Sequence, residues 1–198
     1  MNNSLNPGYY TSPELRALGF AAVGTNVFIS KHCNIVGSQN IYLASNIRID
    51  YATTIVAGSA GVRIGNYVHI GAYCYLSGGH GITIADFAGL SQRVTIHTST
   101  DDYLGGVFTN PTVPAELTRI HAAAISIGRH AILGSGAVVL PKADIAEGVA
   151  IGALSMVNKP TKSWTIYGGV PAKILRARAP IDPDGLMAAR LLNGDHEA

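Results

Sequence analysis

Charge is what this chain has least of. Asp, Glu, Lys and Arg make up 13% of its 198 residues against 47% hydrophobic, and the net charge is +2. A disordered chain needs the opposite balance, so one compact domain is expected. The few cations are scattered, with no basic run interleaved with aromatics, which argues against a nucleic-acid partner. Long apolar runs are missing too. Nowhere do about 18 uncharged apolar residues follow one another, and Met1 to Tyr10 has no cationic segment leading into an apolar one. A soluble cytoplasmic protein without a membrane partner is the expectation. Cysteine is almost absent: Cys33 and Cys74 are too few for a disulfide framework, and both read as buried, reduced thiols.

What the chain does have is a period. Ile127, Leu133, Val139, Ile145, Ile151 and Val157 are spaced six apart, and four residues after each stand Ala131, Ala137, Ala143, Val149, Ser155 and Thr161. A bulky aliphatic with a small or β-branched residue four later is the pattern of a chain wound into a triangular parallel β-helix. The template also fits in blocks of three at Val23, Ile29, Ile35; Leu43, Ile49, Ile55; Ile64, Ile70, Leu76; and Ile84, Leu90, Ile96. Each block is one coil. The register slips after Asn40, Ala60 and Gly81, once per coil and at the same corner. A corner can bulge, whereas an extra residue within a face would exchange inward and outward side chains. Gly24, Gly65, Gly71, Gly128, Gly134 and Gly152 directly follow the aliphatic position, where left-handed or crowded backbone favours glycine. About six coils, each rising about 4.8 Å, make a prism on the order of 30 Å tall.

Three stretches escape the repeat. Residues 1–22 form an N-terminal cap, in which Thr11-Ser12-Pro13-Glu14 reads as a capped helix start and Gly19 as its stop. Coils occupy residues 23–100 and 125–178, and a terminal helix is expected within 179–198. Between the coil blocks, residues 101–124 break the pattern. This excursion carries Asp101-Asp102-Tyr103, Gly105-Gly106 and Thr109-Asn110-Pro111, turn formers and polar groups suited to a functional loop.

Hexapeptide coils, an excursion between coils four and five, and the closing Gly169-Val170-Pro171-Ala172-Lys173 together resemble the left-handed β-helix acyltransferases, which transfer acyl groups from coenzyme A. Ile125 to Leu175 runs without a gap against the galactoside and maltose O-acetyltransferase pattern. Tyr9-Tyr10 to Phe20, and Ser99-Thr100-Asp101-Asp102-Tyr103 to Pro114, are similar to acyltransferases of O-antigen and capsule gene clusters, some of which acetylate the amine of a nucleotide-linked 4-amino-4,6-dideoxy sugar. The left-handed sense comes from the resemblance, because periodicity cannot give hand. The resemblance further implies a homotrimer with sites between neighbouring prisms, acetyl-CoA as cosubstrate and no metal. It places Ser135 and Ala153 on the pantetheine arm, Asn158 and Lys159 at its middle, and Lys173 and Arg176 at the phosphates, where cations suit the charge.

One residue departs from the sugar O-acetyltransferases. They place a histidine at the start of the excursion to take the acceptor hydroxyl's proton; here that position is Asp101. A hydroxyl benefits from a base tuned near neutral pH, whereas an amine needs only its neutral form, and a carboxylate with an ordinary pKa of about 4 suits the second task. An amino sugar is therefore the expected acceptor, with saccharide O-acetylation the alternative. His97, steered by Asp101 or Asp102, is a second candidate base, and the two aspartates can instead cap the loop. His80, read at an inward position beside Gly78-Gly79, Tyr73, Arg93, Tyr103 and Asn110 are candidate acceptor contacts. Gly71 and Gly79 stand where galactoside enzymes carry Asn and Asp, which suggests room for a larger acceptor such as a nucleotide sugar.

Two other classes share the prism. A zinc carbonic anhydrase type needs three converging histidines, and no two histidines here are five apart. A non-enzymatic prism would carry a regular outward array, and the outward positions are irregular.

Overall fold

The computed structural model describes residues 7–182. The terminal helix expected at Gly185 to Asn193 lies outside the described residues.

Three parallel sheets form the three faces of a prism. The aliphatic positions read from the sequence stack as its inward ladders. On the first face, Ile29, Ile49, Ile70, Leu90, Leu133 and Ile151 are in register, and Tyr167 closes the column. On the second face, Ile35, Ile55, Leu76, Ile96, Val139 and Val157 align. Val23, Leu43, Ile64, Ile84 and Ile127 form the third, extended by a bridge from Ile127 to Ile145. Most of these side chains are under 4% exposed. Each full burial is worth roughly 1.5–3 kcal/mol. The first face has seven parallel rungs, one more than the six coils expected. Its last rung was hidden because its inward residue, Tyr167, is aromatic.

Sheet edges are covered at both ends of that face. Tyr9–Tyr10 pairs antiparallel with Val27–Ser30, and Lys173–Ala177 folds back antiparallel on Thr165–Gly168. Such pairing removes open edges that would recruit other strands. The short helix Ser12–Ala17 starts as the sequence predicts: Glu14 accepts from the Thr11 amide at 2.7 Å and its hydroxyl at 2.8 Å. It lays Leu15, 1% exposed, into the core.

The corner glycines are crowded rather than left-handed. A Cβ on Gly128 would stand 2.6 Å from the Ala146 carbonyl carbon, and one on Gly134 2.5 Å from the Ala153 amide; Gly152, with 3.4 Å, is the loose exception. Positive φ falls two residues later, at Asn26, Tyr67, His130 and Leu154. Leu154 lies on the first-to-second corner; the third-to-first corner presents one such side chain per coil except at Gly148, over which Trp164 lies, and the rise of the coils stacks them. Tyr67 lies on Phe87 at 5.0 Å, Phe87 on His130 at 5.1 Å, and His130 beneath Trp164 at 6.1 Å. Both cysteines are free, Cys74 buried and Cys33 half-buried, with burial pushing each thiol up to about 11.

All the insertions emerge at the second-to-third corner. Ser38–Asn40, the turns at 58–61 and 78–81, and the excursion after His97 lie one above another there.

Candidate active site

The excursion is an arm. Ser99–Asp101 pairs antiparallel with Ile120–Ala122, opposing Asp101 to Ile120. Its root is pinned by Thr98, which is fully buried, donates to the Ser77 carbonyl at 2.7 Å and accepts from the His80 amide at 3.1 Å. His80 was expected at an inward position. Its side chain is exposed instead, because the 78–81 turn bulges outward and Thr98 plugs the space beside it.

Asp101 is half-buried at the end of its strand, and Asp102 is 2% exposed. Asp102 accepts from the Leu104 amide at 2.8 Å and from Arg119 at 2.9 Å, with His121 3.8 Å away. The Leu104 hydrogen bond, then Arg119, holds its carboxyl below the usual range. That is the loop-capping arrangement: its oxygens serve the arm and do not steer His97. His97 is half-buried on the second face, its ring 5.8 Å from that of Tyr75. Burial lowers its pKa, so the ring is neutral near pH 7, the form a base requires.

The other candidates scatter. Tyr103 is 89% exposed on the arm, and Asn110 spends its side-chain oxygen on Thr112 within its own turn, at 2.6 and 3.0 Å. Tyr73 and Arg93 occupy successive positive-φ positions on the first-to-second corner, exposed, with Tyr73 packed edge-on to Tyr51 at 5.5 Å. Gly71 is no vacancy, since a Cβ there would stand 2.8 Å from the Gln92 amide; Gly79 does face open space. Ser135 and Ala153 are exposed on adjacent coils of the first-to-second corner, joined by Leu154 donating to the Ser135 carbonyl at 2.9 Å. Asn158 and Lys159 are exposed on the next corner, and Lys173 and Arg176 on the final strand. One chain therefore brings His80, His97, Asp101 and Asp102 to one corner and spreads the expected coenzyme A track over two corners and the final strand.

A second cluster went unread in the sequence. On the outer side of the first face Asp50 accepts from Arg48 at 2.9 and 3.1 Å, from the Tyr9 hydroxyl at 2.9 Å, and meets His69 Nε2 at 2.7 Å. Burial opposes ionisation of Asp50, but the hydrogen bonds from Arg48, His69 and Tyr9 outweigh it and lower its pKa. The cluster borders a groove of about 320 Å³ that continues past Gly89 to Ser91, Gln92 and Ser135. The one available signal was the Arg48-x-Asp50 spacing, which puts both side chains on one side of a strand. Among the described residues, no group of three His, Cys, Asp or Glu side chains is placed to hold a metal ion, and no helix is long and apolar enough to cross a membrane.

No protein-family model matches the chain. It is 40% identical to the dTDP-4-amino-4,6-dideoxy-D-glucose acyltransferase of Escherichia coli, over 86% of this chain and 89% of that protein. The chain belongs to the left-handed β-helix acyltransferases. The acyltransferase is also 34% identical to AntD, an N-acyltransferase from Bacillus cereus solved with dTDP-4-amino-4,6-dideoxyglucose and coenzyme A, with a TM-score of 0.85 over 94% of this chain and 98% of AntD. Other solved forms of AntD hold dTDP with coenzyme A or with 3-hydroxybutyryl-CoA. Galactoside acetyltransferase in complex with coenzyme A is similar in fold, with a TM-score of 0.57 at 21% identity over 83% of this chain and 68% of that one.

Proposed function

We propose that this acyltransferase moves an acyl group from coenzyme A to the amine of a dTDP-linked 4-amino-4,6-dideoxy sugar, acetyl being the expected group. One coincidence carries the reading. AntD has been solved with substitutions at a serine and at an aspartate ten residues beyond it. In this chain Ser91 and Asp101 are the one Ser and Asp pair with that separation. The aspartate stands where the sugar O-acetyltransferases carry a histidine, and the serine lies in the groove beside the Asp50 cluster.

In the reaction the amine nitrogen attacks the thioester carbonyl, the C–N bond forms and the C–S bond breaks. The proton shed by nitrogen passes to Asp101 and on to the departing thiolate, leaving an amide and coenzyme A. Ser91 positions the amine by its hydroxyl. Ser135 and Ala153 offer backbone groups to the pantetheine amides, and Asn158 and Lys159 continue that track. Lys173 and Arg176 supply charge for the phosphates.

Ser91 sits on the first-to-second corner, while the arm bearing Asp101 leaves the next corner, roughly 15 Å along a face whose strands advance about 3.3 Å per residue. A complete site therefore joins Ser91 of one copy to Asp101 of another, as in a homotrimer. The arm is built for such a neighbour, since Leu104 is 92%, Phe108 64% and Ile120 58% exposed.

Thiol release from acetyl-CoA is the test, run against dTDP-linked 4-amino-6-deoxy sugars, free amino sugars and neutral sugars. Turnover confined to the dTDP-linked amines is expected. Turnover with hydroxyl acceptors and none with amines would replace the N-acyl reading by O-acetylation.

A further inference from the structure

The outward column of the first face runs Phe28, Arg48, His69, Gly89, Ile132, Ala150 and Ile166 through the same registers that align the core. Gly89 is its gap. Neither backbone nor packing asks for glycine there: φ is not positive, and a Cβ would meet nothing within 4 Å. Glycine within a strand weakens it, and what this one yields is space, the groove of about 320 Å³ between His69 and Ile132. That size falls within the range of small-molecule sites, about 300–1,000 Å³.

The groove has a polarity. Among the described residues Arg48 is the one Lys or Arg lining it, and stands at the end away from Ser91 and Ser135. Asp50, its side chain only 16% exposed, fixes Arg48 through Nε and Nη2, leaving Nη1 unused by that pair on a side chain 58% exposed. The same carboxylate engages His69 Nε2 and leaves Nδ1 available. Beyond Arg48 and His69 a second groove of about 380 Å³ opens, flanked by Phe28 and Tyr67. From one end to the other the face thus offers aromatic rings, a fixed cation with a histidine, an empty rung, and Ser91.

We propose that the acceptor lies lengthwise along this face: nucleobase between Phe28 and Tyr67, diphosphate at Arg48 and His69, and the sugar over Gly89 with its amine toward Ser91. An aromatic groove suits a base, a cation suits the diphosphate, and an empty rung suits a ring that must approach the backbone. Gly89 is then a specificity determinant, since it sets how bulky a sugar the face admits. This assignment rests on the nucleotide-sugar reading above.

Calorimetric titration of dTDP and of coenzyme A into the full-length protein, with steady-state kinetics, tests it in Arg48→Ala and Gly89→Val. Valine suits a strand and its Cβ has room, and the melting temperature checks that each variant folds. Arg48→Ala is expected to weaken dTDP at least tenfold. Gly89→Val leaves dTDP affinity within twofold but raises KM for the dTDP-amino sugar at least tenfold, and coenzyme A affinity is unchanged in both. If Arg48→Ala binds dTDP like the parent, or Gly89→Val keeps the parental KM, the assignment falls while the function stands. Loss of coenzyme A affinity instead would give the groove to the donor's nucleotide and overturn it. A parent protein that neither binds dTDP nor acylates dTDP-amino sugars sinks the function itself, and this assignment with it.

Discussion

The coils and the arm solve opposite problems with opposite residues. In the coils aliphatic side chains point inward and stack on their like, while in the arm Leu104, Phe108 and Ile120 point outward and the interior position goes to Asp102. Asp102 is the one charged side chain buried among the described residues. The coils are therefore held by many interchangeable contacts, each worth a little. The arm is held at its base by a few specific contacts, the buried Thr98 hydroxyl and one carboxylate with named partners, Leu104 and Arg119. A region of the first kind tolerates change in function and resists change in packing, and the second kind behaves the other way.

The sharpest test truncates a rung. Leu90 is 1% exposed between Ile70 and Leu133, and Leu90→Ala should cost about 2–5 kcal/mol, as core leucine truncations do. Urea unfolding measures it. The folded fraction should keep its KM for acetyl-CoA; a changed KM would mean that the ladder shapes the donor site as well as supporting it.

Next comes Asp101→Ala. Turnover should fall at least tenfold, about 1.4 kcal/mol of transition-state stabilisation, with the melting temperature held within about two degrees because Asp101 is half-buried on the arm rather than in the ladders. If His97→Ala is the more severe lesion, the base is the neutral imidazole on the second face and Asp101 only positions it. A smaller effect is expected at Lys173, exposed at the start of the final strand. Lys173→Ala should raise KM for acetyl-CoA several-fold and leave kcat alone, the signature of lost ground-state binding. A loss confined to kcat would remove Lys173 from the donor track.

How much of this was legible in the sequence follows the same division. The three inward ladders were readable because a six-residue period fixes which residues stack, and only the seventh rung was lost, to an aromatic at Tyr167. The arm was visible as the place where the period stops, and Asp101 as the residue standing at the break. His80 was misplaced because a bulged corner obeys no alternation, so its inward slot was already taken by Thr98 from the coil above. The Asp50 cluster gave almost no signal. Tyr9 and His69 lie 41 and 19 residues from Asp50 and become neighbours only through stacking. Ser91, a polar residue at a corner, looked like any turn serine until a spacing borrowed from a relative distinguished it.

The gentlest perturbation, acid, separates the two regions without a mutation. The folded pKa of Asp102 lies below the ordinary value of about 3.9, so its carboxylate contributes stability above that value and loses it as pH falls through the lower, folded one. Among the described residues the coils hold one comparable carboxylate, Asp50, whose pKa the hydrogen bonds from Arg48, His69 and Tyr9 also lower, but it lies on the outer side of the first face and its partners are side chains, so its protonation releases no amide that joins rungs. As pH falls below about 4, the protection factor of the Leu104 amide, which donates to Asp102, should therefore drop before those of the amides that join rungs. Asp102→Asn should shift the arm's behaviour at pH 7 toward that acid state, since an amide keeps one acceptor for Leu104 but sets an NH2 against Arg119. Arm and coil amides losing protection together at the same pH would show that the arm is cooperative with the prism, and the contrast between a ladder-held body and a carboxylate-held arm would not survive it.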